Sequence, residues 1–216
     1  MPLVGAPASA FVGATIRHRL EVSVLRYRPE VDGLRAVAVV PVILFHAGIA
    51  GFDGGYVGVD VFFVISGYLI TSILVRELHE GRFSLARFYE RRARRILPAL
   101  TVVVLSCIPF AWRWMFPQQL VSFAEALIAT ALFVSNIYFW QTTHYFAPSA
   151  DDNPLLHTWS LAVEEQFYVG FPLLLMVCWR FAAIRKRLPW LLGVGAGLSL
   201  AVAQWGSVHA STANFY

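Results

Sequence analysis

Polar and apolar positions divide the chain into six apolar stretches: Leu34–Ile49, Val57–Val75, Ile96–Phe116, Leu120–Trp140, Leu161–Phe181 and Trp190–Val208. Most approach the roughly 20 residues that a helix needs to cross a bilayer. The expected fold class is therefore an all-α integral membrane protein, a polytopic transmembrane helix bundle of about six hydrophobic helices. The connector "AGFDGGY" (Ala50 to Tyr56) is short, rich in Gly and free of Lys and Arg, so it reads as a tight outer turn that makes a hairpin of the first two spans.

The next connector, "RELHEGRFSLARFYERRARR" (Arg76 to Arg95), is dense in arginine. The excess of Lys and Arg in cytoplasmic loops places it inside. Its second half starts at Ser84, a helix-start residue, and interleaves arginines with aromatic and aliphatic side chains. That pattern suits an amphipathic interfacial helix feeding into the third span. "QTTHYFAPSADDNPLLHTWS" (Gln141 to Ser160) has no Lys or Arg and reads as external, whereas "RFAAIRKRLP" (Arg180 to Pro189) reads as cytoplasmic. Two intervening crossings cannot satisfy both assignments. Either Leu120–Trp140 does not fully cross, as a re-entrant or surface-lying helix carrying Phe123, Leu127 and Phe133, or the charge rule fails for one loop.

Composition agrees with the membrane reading. Of 216 residues, 58% are hydrophobic and only 14% are charged, with seven Trp and seventeen Phe. The net charge of +4 sits in arginines beside apolar runs, which points to topology and anionic lipid headgroups and away from nucleic acid. Cys107 and Cys178 lie in separate apolar runs without metal-ligand spacing, so they read as packing residues, with no metal site implied. Residues 1–26 carry their positive charge after a weakly apolar stretch, unlike a signal peptide. They are expected to form a poorly ordered cytoplasmic tail ahead of a domain over 27–216.

Candidate chemistry starts in "VDGLRAVAVVPVILFHAG" (Val31 to Gly48). An arginine in hydrocarbon costs roughly 2.5–3.5 kcal/mol, so ionisable residues there are usually functional. Arg35 and His46 are eleven positions apart, about three turns, and share one helix face. Neutral imidazole is a good general base; the bland alternative is an arginine snorkelling to the interface and a histidine bonded to a neighbouring helix. The hairpin is expected to bring Asp60 to a depth similar to that of His46, where a carboxylate could set the imidazole tautomer. Ser66, beside Gly67, reads as a helix-packing residue before a nucleophile.

In "NPLLHTWSLAVEEQFY" (Asn153 to Tyr168), Thr158 or Ser160 can cap a helix with Glu164 or Glu165 in its first turns. Capping needs only one of two adjacent glutamates. Seven positions separate His157 from Glu164, which places them on one face, with Glu164 the residue expected to line a polar cavity and Glu165 pointing elsewhere. Arg92 and Arg95, three apart, form a face able to grip phosphates, although plain positive-inside charge explains them too.

Taken in order, "YRPEVDGLRAVAVVPVILFHAG", "GGYVGVDVFFVISGYLITSIL", "FYERRARRILPAL" and "NPLLHTWSLAVEEQFY" closely resemble the acyltransferase-3 family of bacterial integral membrane O-acyltransferases, from Tyr27 onward. The resemblance implies a domain of about ten helices in the bacterial inner membrane. It also implies transfer of an acyl group, often acetyl, from cytoplasmic acyl-CoA to a sugar hydroxyl of a surface polysaccharide or lipid-linked precursor. Acyl-CoA is then a donor substrate, with no bound cofactor. His46, Asp60 and Glu164 become the expected catalytic residues, and Arg35, Arg92, Arg95, Ser66, His157 and Glu165 the expected substrate- and donor-binding residues. Because the chain covers about six spans, the sequence reads as the N-terminal part of such a domain. The competing readings are a transporter or flippase of sugar-lipid precursors that uses the same polar residues, and an inactive fragment.

Overall fold

The computed structural model describes residues 29–142 and 152–209. Every regular element among them is helical: α1 (Pro29–His46), a 3-10 turn (Gly55–Val57), α2 (Gly58–His79), α3 (Leu85–Trp114), α4 (Pro117–Ala131), α5 (Ser135–Thr142), α6 (Thr158–Arg180) and α7 (Ala182–His209). The 1–26 tail and part of the proposed external loop, residues 143–151, lie outside the described residues. Four segments are long and apolar enough to cross a membrane: Gly55–His79, Leu85–Trp114, Thr158–Arg180 and Ala182–Ser207. Of the six apolar stretches, then, the first and fourth do not form helices of that kind. The chain divides into two compact units, Met1–Ser66 and Gly67–Tyr216, with the boundary inside α2.

In the first unit α1 and the start of α2 form the expected hairpin, and their backbones touch. A Cβ added to Gly58 would meet the Ala38 carbonyl oxygen at 2.0 Å, and one added to Gly55 would meet that of Pro41 at 2.2 Å. Only glycine permits that approach, because any side chain would have to displace backbone atoms. Gly58→Ala is therefore expected to destabilise the hairpin by about 1–3 kcal/mol, the usual cost of overpacking. Gly67→Ala, with nothing within 4 Å of its added Cβ, should be tolerated. Thermal unfolding of the two variants in detergent checks the contrast, and equal melting temperatures would contradict the close contact.

The second unit has two apolar cores. One gathers Ile70 and Leu74 of α2, Phe88 of α3, and Tyr168 and Leu175 of α6, with Leu188 of α7 against it. The other gathers Ala111 of α3, Phe123 and Ala126 of α4, Phe139 of α5, and Leu155 and Leu156 just before α6. The interfacial helix and third span expected from sequence are one continuous rod, α3, in which Ser84 Oγ accepts the first-turn amide of Arg87 at 3.5 Å. Thirty residues extend about 45 Å, against a hydrocarbon core of about 30 Å. The arginine-bearing first turns thus have length to spare for the headgroup region.

The stretch Leu120–Trp140 is interrupted by a helix stop. Phe133 has φ +54°, its amide donates to Thr130 O at 3.1 Å, and the Val134 amide reaches back to Ala129 O at 2.8 Å. These bonds close α4 as a Schellman turn and start a new helix. α5 then folds back along α4, since Tyr138 Oη donates to Ser122 O at 3.1 Å and Asn153 Nδ2 to the same carbonyl at 3.3 Å. The pair is a short helical hairpin, so Leu120–Trp140 is not one continuous helix. A re-entrant α4–α5 hairpin, with α3 as the crossing before it, would make the charge pattern of the loops self-consistent. Cysteine labelling from outside is accordingly expected to modify Asp53→Cys and spare Ser84→Cys. The reverse pattern would invert the topology.

Candidate active site

His46 ends α1, where its Nδ1 lies 2.8 Å from Val42 O. A carbonyl only accepts, so Nδ1 carries the hydrogen and the lone pair of the neutral ring resides on Nε2. The Phe45 ring meets the imidazole edge to face at 5.1 Å. Three turns earlier, Arg35 lies over the Phe62 ring at 4.8 Å, and its Nε is buried with no hydrogen-bond partner among the described residues.

Asp60 does not reach the depth of His46. Gly58 lies level with Ala38 and Val42, so Asp60 sits about 12 Å deeper along the hairpin than His46, closer to the level of Arg35. The imidazole tautomer is set by the Val42 carbonyl, a bond within α1 itself. Asp60 occupies the first turn of α2, where the helix dipole favours a carboxylate. Ser66 is buried at 4% exposure, as expected of a packing residue.

The second unit separates the arginines of α3 by their partners. Arg91 pairs with Glu77 at 3.0 Å and Arg94 with Glu90 at 2.7 Å. Neither Arg92 nor Arg95 has a carboxylate within ion-pair distance among the described residues. Arg92 lies over the Tyr168 ring at 4.5 Å and the Phe88 ring at 5.8 Å. It interacts electrostatically with Arg95, Glu164 and Glu165. The Arg-x-x-Arg face of α3 and the double glutamate of α6 therefore belong to one charged cluster.

Within that cluster the glutamates differ. Glu164 accepts the hydroxyl of Tyr168. Glu165 keeps Oε1 buried with no hydrogen-bond partner among the described residues. The capping expected from Thr158 or Ser160 is not formed. His157 takes the N-cap position without a side-chain cap bond, while Ser160 Oγ donates to His157 O at 3.0 Å and Thr158 Oγ1 to Leu155 O at 2.7 Å. These hydroxyls close the turn leading into the helix, which leaves the glutamates free of the capping role.

Gln166 is a residue that sequence reasoning missed. Its Nε2 donates to Phe133 O at 2.9 Å and Asn136 Oδ1 at 2.8 Å, holding the tip of the α4–α5 hairpin. Irregular backbone at membrane depth is tolerated only where protein supplies its hydrogen bonds. The signal was a polar amide at a fixed place in a span-length apolar helix.

A family model described as an acyltransferase domain matches residues 28–216. The chain belongs to the acyltransferase-3 family. It is 44% identical over 153 residues to the O-acetyltransferase OatA of Staphylococcus aureus, a match covering 69% of this chain and 25% of the relative. It is 37% identical over 185 residues to the peptidoglycan O-acetyltransferase OatA of Listeria monocytogenes, covering 85% of this chain and 29% of the relative. The chain thus spans between a quarter and three tenths of the length of these curated relatives. No solved structure matches it. With four helices able to span and a family of membrane acyltransferases, this is a multi-pass membrane protein.

Proposed function

We propose that the protein is a bacterial cell-membrane O-acetyltransferase that moves an acetyl group from cytoplasmic acetyl-CoA to a hydroxyl of a surface polysaccharide, peptidoglycan first among them. The activities for which the relatives are named support the reaction class and acceptor. The observation that carries the chemistry is the Nδ1–H bond from His46 to Val42 O, which leaves Nε2 as the basic nitrogen. Nε2 takes the proton of the acceptor hydroxyl as its oxygen attacks the thioester carbonyl carbon. The new C–O ester bond forms, the C–S bond breaks, and the proton passes to the departing CoA thiolate. Arg92 and Arg95, the arginines of the motif that are not spent on ion pairs, bind the donor phosphates. Arg35 and Asp60 supply charge deeper in the hairpin that carries His46.

The test is transfer of radiolabelled acetyl from acetyl-CoA to a soluble peptidoglycan fragment by the full chain in liposomes. The expected product is an alkali-labile glycan ester. Movement of the glycan across the bilayer without labelling would replace the enzyme reading with transport.

A further inference from the structure

None of the roles above uses Tyr168. It lies one turn beyond Glu164 on α6, is 3% exposed, and donates a hydrogen bond from its hydroxyl to the Glu164 carboxylate. Its ring faces the Arg92 guanidinium at 4.5 Å, and the Phe88 ring, 2% exposed, lies 5.8 Å from the same group. Cations within about 6 Å of an aromatic face are held by the ring quadrupole, more strongly where water is excluded. Both rings belong to the core built on Ile70, Leu74 and Leu175, so neither is free to swing away. Next to them, Tyr89 Oη donates to Val169 O at 3.2 Å and ties α3 to α6. A guanidinium held over a ring through its central carbon can still present N–H edges to a ligand, the edges that phosphate binds.

We infer that Tyr168 is a positioning residue for the donor: its ring, anchored through the hydroxyl to Glu164, holds the Arg92 fork in the orientation that receives the phosphates of acyl-CoA. Glu164 then acts through Tyr168, and of the two glutamates Glu165, whose buried Oε1 has no hydrogen-bond partner among the described residues, is the one left for a substrate hydrogen-bond donor. This inference rests on the acyl-CoA reading above.

The experiment measures donor KM, acceptor KM and kcat for acetyl transfer from acetyl-CoA to a soluble glycan by the full chain in liposomes. The variants are Tyr168→Phe, Tyr168→Leu, Glu164→Gln, Arg92→Gln and the Tyr168→Leu/Arg92→Gln double. Tyr168→Leu should raise the donor KM about tenfold, the effect of losing a desolvated cation–π contact, and leave the acceptor KM and kcat nearly unchanged. Tyr168→Phe keeps the ring and should recover most of that loss. In the Arg92→Gln background Tyr168→Leu should add little, since its target is gone. If Tyr168→Leu does not insert, Glu164→Gln carries the test, with an expected rise of about threefold in donor KM through the weakened anchor. An unchanged donor KM, equal rises in both KM values, or a Tyr168→Leu effect that persists without Arg92 overturns the positioning role alone. Absence of any acetyl-CoA-dependent transfer by the wild type overturns the donor reading and this inference with it.

Discussion

His46→Ala in the full chain is expected to lower acetyl transfer by about 10²–10⁴-fold, the usual loss on removing a general base. Insertion should be unaffected, because alanine is well tolerated in a span and the imidazole sits at the exposed end of α1, bonded to a carbonyl of its own helix. Asp60→Asn is expected to be milder, since the Val42 carbonyl and not Asp60 selects the tautomer. The measurement is ester formed per unit of membrane-inserted protein for each variant. Wild-type transfer in His46→Ala would remove the catalytic assignment, and a loss that follows the amount of inserted protein would make His46 a folding residue.

Replacing both Arg92 and Arg95 with Lys is expected to raise the donor KM about 10–100-fold although the charge is retained. Lys presents a point charge without the planar bidentate fork, and one charge-assisted hydrogen bond contributes about 1.5–3 kcal/mol. Replacing Arg91 and Arg94 with Lys should change the donor KM little, because their guanidiniums already serve Glu77 and Glu90. The comparison isolates binding geometry from net charge, since all four positions lie on one stretch of α3. Equal donor KM values in the two double variants would reduce Arg92 and Arg95 to orientation signals.

The apolar lengths and the arginine pattern were legible without coordinates. Just past α1 stands Gly48, with φ +67°, and just past α2 stands Gly81, with φ +65°. At both, the following amide reaches five residues back, Ile49 to Leu44 O and Arg82 to Glu77 O. A glycine just past an apolar run announces that geometry, because only glycine enters it without steric cost. The third stop uses the same bonds at Phe133, where an L side chain in the left-handed region costs roughly 1–2 kcal/mol. Nothing local announces it. Its carbonyl is held by Gln166, thirty-three positions away.

The site divides in the same way. Residue type and spacing identified His46, Arg35, Arg92, Arg95 and the two glutamates as candidates, because charged and titratable groups in apolar helices are few. Spacing could not show that Asp60 lies at the level of Arg35, since that depends on where Gly58 meets Ala38 across the hairpin. Nor could it show which partner each of the adjacent pairs Arg91 and Arg92, or Glu164 and Glu165, would meet. Local sequence sets which groups enter the membrane, where each must find a partner. Which partner it finds is a matter of contacts between helices far apart in the chain, and these only the tertiary structure decides.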